Sequence, residues 1–162
     1  MSKILVIYGS TTGMMEGYAD DIAQKLDATV MNVADVTPEK LQDYDCLLLG
    51  TSTWGAGEMQ DDWYDGVNTL KKASLGGKVI ALFGCGDAAG YPDTFCGGMS
   101  EIYDAIKDSG AKVVGFVDAA SYTYDDSASV IDGRFVGLAL DVNENNDERI
   151  AAWVEILKSE LQ

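Results

Sequence analysis

Three short segments hold the residues whose types and spacing could do chemistry. Gly9-Ser10-Thr11-Thr12-Gly13 puts hydroxyls between glycines, after an apolar run and before an amphipathic stretch. Hydroxyls, small side chains and the unpaired N–H groups of a helix start make an anion site. A G-x-x-x-x-G-K phosphate loop and a G-x-G-x-x-G dinucleotide turn are both missing. No basic residue occurs between Lys3 and Lys25, so a phosphate would be held by neutral donors and the helix dipole. The same residues also suit an ordinary Ser/Thr-rich turn capping a helix, and the loop alone leaves both readings open.

The other two segments are Thr51-Ser52-Thr53-Trp54-Gly55-Ala56-Gly57-Glu58 and Cys85-Gly86-Asp87-Ala88-Ala89-Gly90-Tyr91. Each offers one aromatic among glycines. Such a side chain can lie over a planar ring, and two such loops can hold a ring between them. For either aromatic alone, packing on the protein is an equal reading. Beside a phosphate loop the pair is more specific.

Composition narrows the chemistry further. The 162 residues include 27 Asp+Glu against 11 Lys+Arg, a net charge of −16, which disfavours nucleic acid and anionic membranes. Without histidine there is no His-based acid–base catalysis and no usual zinc site. No metal ligand set is expected. Cys46, Cys85 and Cys96 form no C-x-x-C pair, and their odd number suits a reduced compartment. The early apolar run Ile4–Tyr8 is too short for a signal-peptide core or a membrane span. These features point to a cytoplasmic protein.

The elements that must position these loops alternate. Ile4–Tyr8, Cys46–Leu49, Val79–Phe83 and Val113–Val117 are near-continuous apolar runs, the pattern of strands covered on both faces. Thr29–Val33 alternates more. Between them, Met15, Tyr18, Ala19, Ile22, Ala23 and Leu26 make one helical stripe, and Phe95, Met99, Ile102, Tyr103 and Ile106 another. Gly110 stands as a stop after the second stripe. Ile150, Trp153, Val154, Leu157 and Leu161 predict a final helix. Thr37-Pro38 reads as an N-cap with proline at the first helical position. Asp61–Ala73 completes the set, with Trp63 and Tyr64 assigned to packing. The order predicts a single-domain α/β doubly wound three-layer sandwich with five parallel strands. Its ligand edge is the carboxyl end of the strands. Phe135–Leu140 is also strand-like, and Asp118–Gly133 before it has no helical stripe, so it is read as an excursion in the last strand.

Tyr8–Gly13, Thr53-Trp54-Gly55, Phe83–Asp87 and Phe135–Asp141 together resemble the flavodoxins, over essentially the whole chain. The late excursion is similar to that of the long-chain subgroup. The resemblance implies strand order 2-1-3-4-5 and non-covalent FMN, with Ser10, Thr11, Thr12, Gly13, Met14 and Met15 around its phosphate. It further implies that Trp54 and Tyr91 flank the isoalloxazine and that the Cys85, Gly86 and Asp87 backbone meets its pyrimidine edge. Gly55 matches the position whose carbonyl turns toward flavin N5. Thr51, Ser52, Thr53, Phe95 and Asp141 join the cofactor-binding set by the same resemblance. Cys96 is either a contact to the pyrimidine edge or a small buried hydrophobe. The chain departs from the family where Gly13-Met14-Met15 replaces Gly-x-Thr. Each side-chain hydrogen bond lost there is worth about 1 kcal/mol, or about 1.5–3 kcal/mol to a charged group, so looser FMN is expected.

The implied function is low-potential one-electron transfer, mainly between semiquinone and hydroquinone, in a protein that is not an enzyme. A surface charge about 15 Å away in salt contributes only about 0.04 kcal/mol, so nearby carboxylates, Asp87 and Glu58 the candidates, should set the potential. The implied partners are redox proteins with basic docking faces, ferredoxin-type reductases and ferredoxin-dependent enzymes, met by a monomer. An FMN-dependent NAD(P)H or quinone reductase is the alternative, but no basic cluster near the ring loops suits an NADP phosphate. A signalling receiver needs clustered acids after the first strand, where this chain has Gly9-Ser10-Thr11.

Overall fold

A computed structural model describes residues 3–9, 13–54 and 57–160. In chain order its elements are β1 (Ile4–Gly9), α1 (Met14–Leu26), β2 (Thr29–Asn32), α2 (Pro38–Leu41), β3 (Cys46–Trp54), β4 (Glu58–Met59), α3 (Asp62–Lys72), β5 (Val79–Gly86), α4 (Gly98–Ile106), β6 (Lys112–Val114), β7 (Val117–Asp118), β8 (Val130–Ile131), β9 (Arg134–Phe135), β10 (Leu138–Asp141) and α5 (Asp147–Glu160). The main sheet runs β2-β1-β3-β5, all parallel, and β4 adds a short antiparallel arm to β3. That is the predicted 2-1-3-4 order. The fifth place is shared. β6 pairs with Val79–Ala81 at the start of β5, and β10 pairs with Phe83–Gly86 at its end.

The apolar runs are buried on both faces because helices cover both. Val6, Leu48, Ala81 and Phe83 pack with Met15, Ala19 and Ile22 of α1 and Trp153 and Leu157 of α5. Their alternates Leu5, Ile7, Leu47, Leu49, Ile80 and Leu82 pack with Trp63 of α3 and Met99 and Ile102 of α4. This period-two sorting is what a parallel sheet between two helical layers requires. In α2 the Thr37 hydroxyl accepts from Lys40 N at 3.3 Å, the expected N-cap ahead of Pro38.

Four expectations need correction. Val113–Val117 is not one strand: it divides at Gly115, whose carbonyl accepts from Trp153 Nε1 at 2.9 Å. Phe135–Leu140 likewise divides between β9 and β10. Gly137 lies in the gap, and a Cβ there would be 2.1 Å from the Leu82 carbonyl oxygen. Only glycine lets the returning chain approach β5 so closely. The helix expected from Phe95 begins at Gly98, because Phe95 and Cys96 belong to the preceding loop. Tyr64 is not packed inside. It is 44% exposed, with its hydroxyl 3.4 Å from Glu58 Oε2, while its neighbour Trp63 is fully buried.

Residues 118–133 form no α-helix and no main-sheet strand, only one turn of 3-10 helix at Ala119–Ser121 capped by Asp118. They contribute to a separate small antiparallel sheet, β7-β9-β8. No helix among the described residues is long and apolar enough to cross a membrane.

Candidate functional site

The strand ends β1, β3, β5 and β10 open on one edge, and a cleft of about 310 Å³ lies there. One end of it is the start of α1. Gly13 sits at φ +87° and has no side chain with which to cap α1, while its carbonyl accepts from Gly17 N at 3.3 Å. An L side chain rarely adopts that backbone, and a glycine there lets the chain turn into the helix. Met14 is 41% exposed and lines the cleft. Met15 touches the cleft too, but its side chain is fully buried in the α1 stripe, so it offers backbone only. Ser10, Thr11, Thr12 and Gly55 lie outside the described residues, and of Trp54 only the backbone, paired with Glu58, is described.

The β3 side of the cleft is formed by Ser52 and Thr53. Their neighbour Thr51 is fully buried. Its hydroxyl accepts from Gln60 N at 2.9 Å and donates to Ser52 O at 2.8 Å. The Thr53 hydroxyl accepts from Gly98 N at 3.1 Å, joining β3 to the start of α4. These hydroxyls fix the walls.

The β5 side is Cys85, Gly86 and Asp87, followed by Tyr91 and Thr94. Burial pushes the Cys85 thiol up to about 12, so it stays protonated. The Asp87 carboxylate accepts from Gly90 N at 2.8 Å and from Asn143 Nδ2 at 2.6 Å. Those bonds, the Gly90 amide first, hold its carboxyl below the usual carboxylate range, so it is a fixed negative charge at neutral pH. Tyr91, whose N–H donates to Asp87 O at 2.7 Å, is 65% exposed at the rim.

Thr51, Phe95, Cys96 and Asp141 stand behind the cleft wall rather than on it. Phe95 is 1% exposed and stacks on Tyr124 at 5.7 Å. The buried Cys96 thiol donates to Leu140 O at 3.5 Å, and burial raises it well above an ordinary thiol. Asp141 is 7% exposed, and its Oδ1 accepts from Asn143 N at 3.0 Å. Three residues were missed. Thr94 and Val142 line the cleft, and Asn143 bridges Asp87 and Asp141. The Asp-x-Asn spacing of Asp141 and Asn143 was the available signal, since such pairs close turns.

Among the described residues the cleft lining has no Lys or Arg, and no group of three or more Cys, Asp or Glu is placed to hold a metal. What remains is a crevice between a helix start and an aromatic rim. The Flavodoxin family model matches residues 6–153. The chain belongs to the flavodoxin family. It is 37% identical to a flavodoxin from Synechocystis sp. (100% of this chain, 99% of that one) and 39% identical to flavodoxin 1 from Azotobacter vinelandii (99% and 98%). A crystal structure of the Fusobacterium nucleatum flavodoxin, described as bound to flavin mononucleotide, superposes with a TM-score of 0.92 at 30% identity, covering all of both chains. The flavodoxin fold of this chain therefore extends over its whole length.

Proposed function

We propose that this flavodoxin is a low-potential one-electron carrier that holds FMN non-covalently in the strand-end cleft. The observation that carries the reading is the cleft itself: it joins the start of α1 to the Asp87–Tyr91 rim in a flavodoxin-family chain. The donor set fits the group. First-turn amides at Met14 and Met15 suit a phosphate, backbone at Gly86 and Asp87 suits a polar ring edge, and Tyr91 offers a ring face. When bound, FMN supplies the one-electron chemistry, mainly between its one- and two-electron-reduced forms.

The protein's own part is electrostatic and steric. Asp87 holds a negative charge beside the cleft, which opposes accumulation of further charge on a bound group. Glu58 is exposed and does not line the cleft, so its influence is smaller. The Cys85 thiol stays neutral and fills space. The net charge of −16 suits steering toward basic docking faces, such as those of ferredoxin-type reductases and ferredoxin-dependent enzymes. Such a carrier works as a cytoplasmic monomer. The reductase alternative finds no support in the described lining, which has no cation for an NADP phosphate.

Titrating apoprotein with FMN and following flavin fluorescence tests the first step. Quenching to a one-to-one end point is expected, and stepwise reduction should pass from yellow through a stable blue form. Apoprotein that leaves FMN fluorescence unchanged refutes the reading. Rapid oxidation of NADPH by the purified holoprotein alone would move it to the reductase class.

A further inference from the structure

Of the six methionines in the sequence, Met14 stands apart. Met15 and Met99 are fully buried, Met59 is buried and Met31 is half-buried, while Met1 lies outside the described residues. Met14, the first residue of α1, is 41% exposed. Its place in the fold is equally particular. With Val142 it lines the cleft, and the same two residues line a second, open groove between α1 and the turn after β10. That groove carries Asp21, Glu144 and Asp147, and its described lining has no Lys or Arg. Met14 and Val142 therefore form an apolar partition between the cleft and a groove edged with carboxylates.

A thioether is soft and apolar, and a peroxide converts it to a sulfoxide, which accepts hydrogen bonds and donates none. The sulfur lone pair attacks one peroxide oxygen, and an S–O bond forms as the O–O bond breaks. Sulfur is oxidised by two electrons, and the peroxide is reduced to water, or to the alcohol where it is an alkyl hydroperoxide. Exposure selects the methionine that reacts, so Met14 goes first. The thiol on the same cleft, Cys85, is 4% exposed and protonated, which makes it a poor competitor for the oxidant.

The product acts where the phosphate would sit. The Met14 N–H belongs to the first turn of α1, whose amides suit a phosphate, and a sulfoxide oxygen on that same residue is a rival acceptor for them. We infer that Met14 is an oxidation site at the phosphate end of the cleft, and that its sulfoxide reversibly loosens FMN. This rests on the flavin reading above and adds a means of regulating it.

The test treats the full chain, freed of flavin, with limiting hydrogen peroxide and locates the added oxygen by peptide mass spectrometry. FMN and riboflavin, which lacks the phosphate, are then titrated. Met14 should be oxidised before Met31. FMN should bind about tenfold more weakly, the worth of one hydrogen bond to a charged group, and riboflavin by less than about twofold. Methionine sulfoxide reductases of both stereospecificities should restore FMN affinity, which they would not do for an oxidised cysteine. In Met14→Leu, treated and untreated protein should bind FMN equally. Oxidation of Met31 ahead of Met14, or unchanged FMN affinity in protein carrying the Met14 sulfoxide, overturns the oxidation switch while the flavin reading stands. So does a loss shared equally by riboflavin, or one that persists in Met14→Leu or after the reductases. Untreated protein that takes up neither flavin overturns the flavin reading and the switch with it.

Discussion

Trp63→Phe tests how α3 secures the far side of the site. The indole is fully buried, and its Nε1–H donates to the Gly50 carbonyl in β3 at 2.7 Å. Its ring also lies against Gly9, where a Cβ would come within 2.7 Å of Trp63 Cδ1. Phenylalanine removes the donor and about 40 Å³, which at about 24 cal/mol per Å³ of retained void costs about 1 kcal/mol. The lost hydrogen bond adds about 1 kcal/mol. For a chain of this size, a total of about 2 kcal/mol lowers the melting temperature by roughly 4–8 °C. Thermal unfolding of apoprotein, followed by far-UV circular dichroism, measures it directly. FMN affinity should fall more than riboflavin affinity, since Gly9 leads into the segment that carries Ser10, Thr11 and Thr12. A melting temperature within about 1 °C of wild type would refute the reasoning, because neither the bond nor the void would then have a cost.

Three further outcomes are expected. Gly13→Ala should destabilise the protein by about 1–2 kcal/mol, because φ +87° strains an L residue even with open space around it; urea unfolding measures this. Asp87→Asn should raise the potential for forming fully reduced flavin, and Glu58→Gln should raise it less; an equal response in potentiometric titrations would reject control by the charge on the cleft. Alkali should destabilise the fold through Cys85. Its thiol keeps its proton to about 12 when folded, against an ordinary 9.0, so the unfolded chain releases a proton first and stability falls as pH rises from 9 toward 12. Urea midpoints should show that decline, and Cys85→Ala should make it shallower, with the share from the buried Cys96 thiol remaining.

Much of this was legible in the residues. Ile4–Tyr8 and Val79–Phe83 are read as strands because both sheet faces are buried, and the structure extends them only to Gly9 and Gly86. The β5 extension brings Cys85 and Gly86 to the cleft, and the glycines around Cys85 interrupted the apolar run. Cys46–Leu49 likewise grows to Cys46–Trp54, since Thr51 is polar yet fully buried, its hydroxyl satisfied within the turn. Phe95 misled for the opposite reason. Its spacing matches the α4 stripe, but its ring is claimed by Tyr122, Tyr124 and Phe135, partners distant in the chain. No local pattern reveals that. Asp141 was singled out by motif, whereas the bond from Asn143 to Asp87 became visible only when the fold brought the turn after β10 beside the end of β5.

The shared outer neighbour of β5 has a consequence for how the chain is made. The β6 half emerges from the ribosome early, but the β10 half, which stands beside the cleft, follows only after the whole 115–137 segment. A nascent chain can therefore assemble most of its sheet and still have no finished pocket. Cofactor capture then waits for the last part of the chain, and premature termination just before Leu138 would remove one side of the pocket together with α5, which covers one face of the sheet.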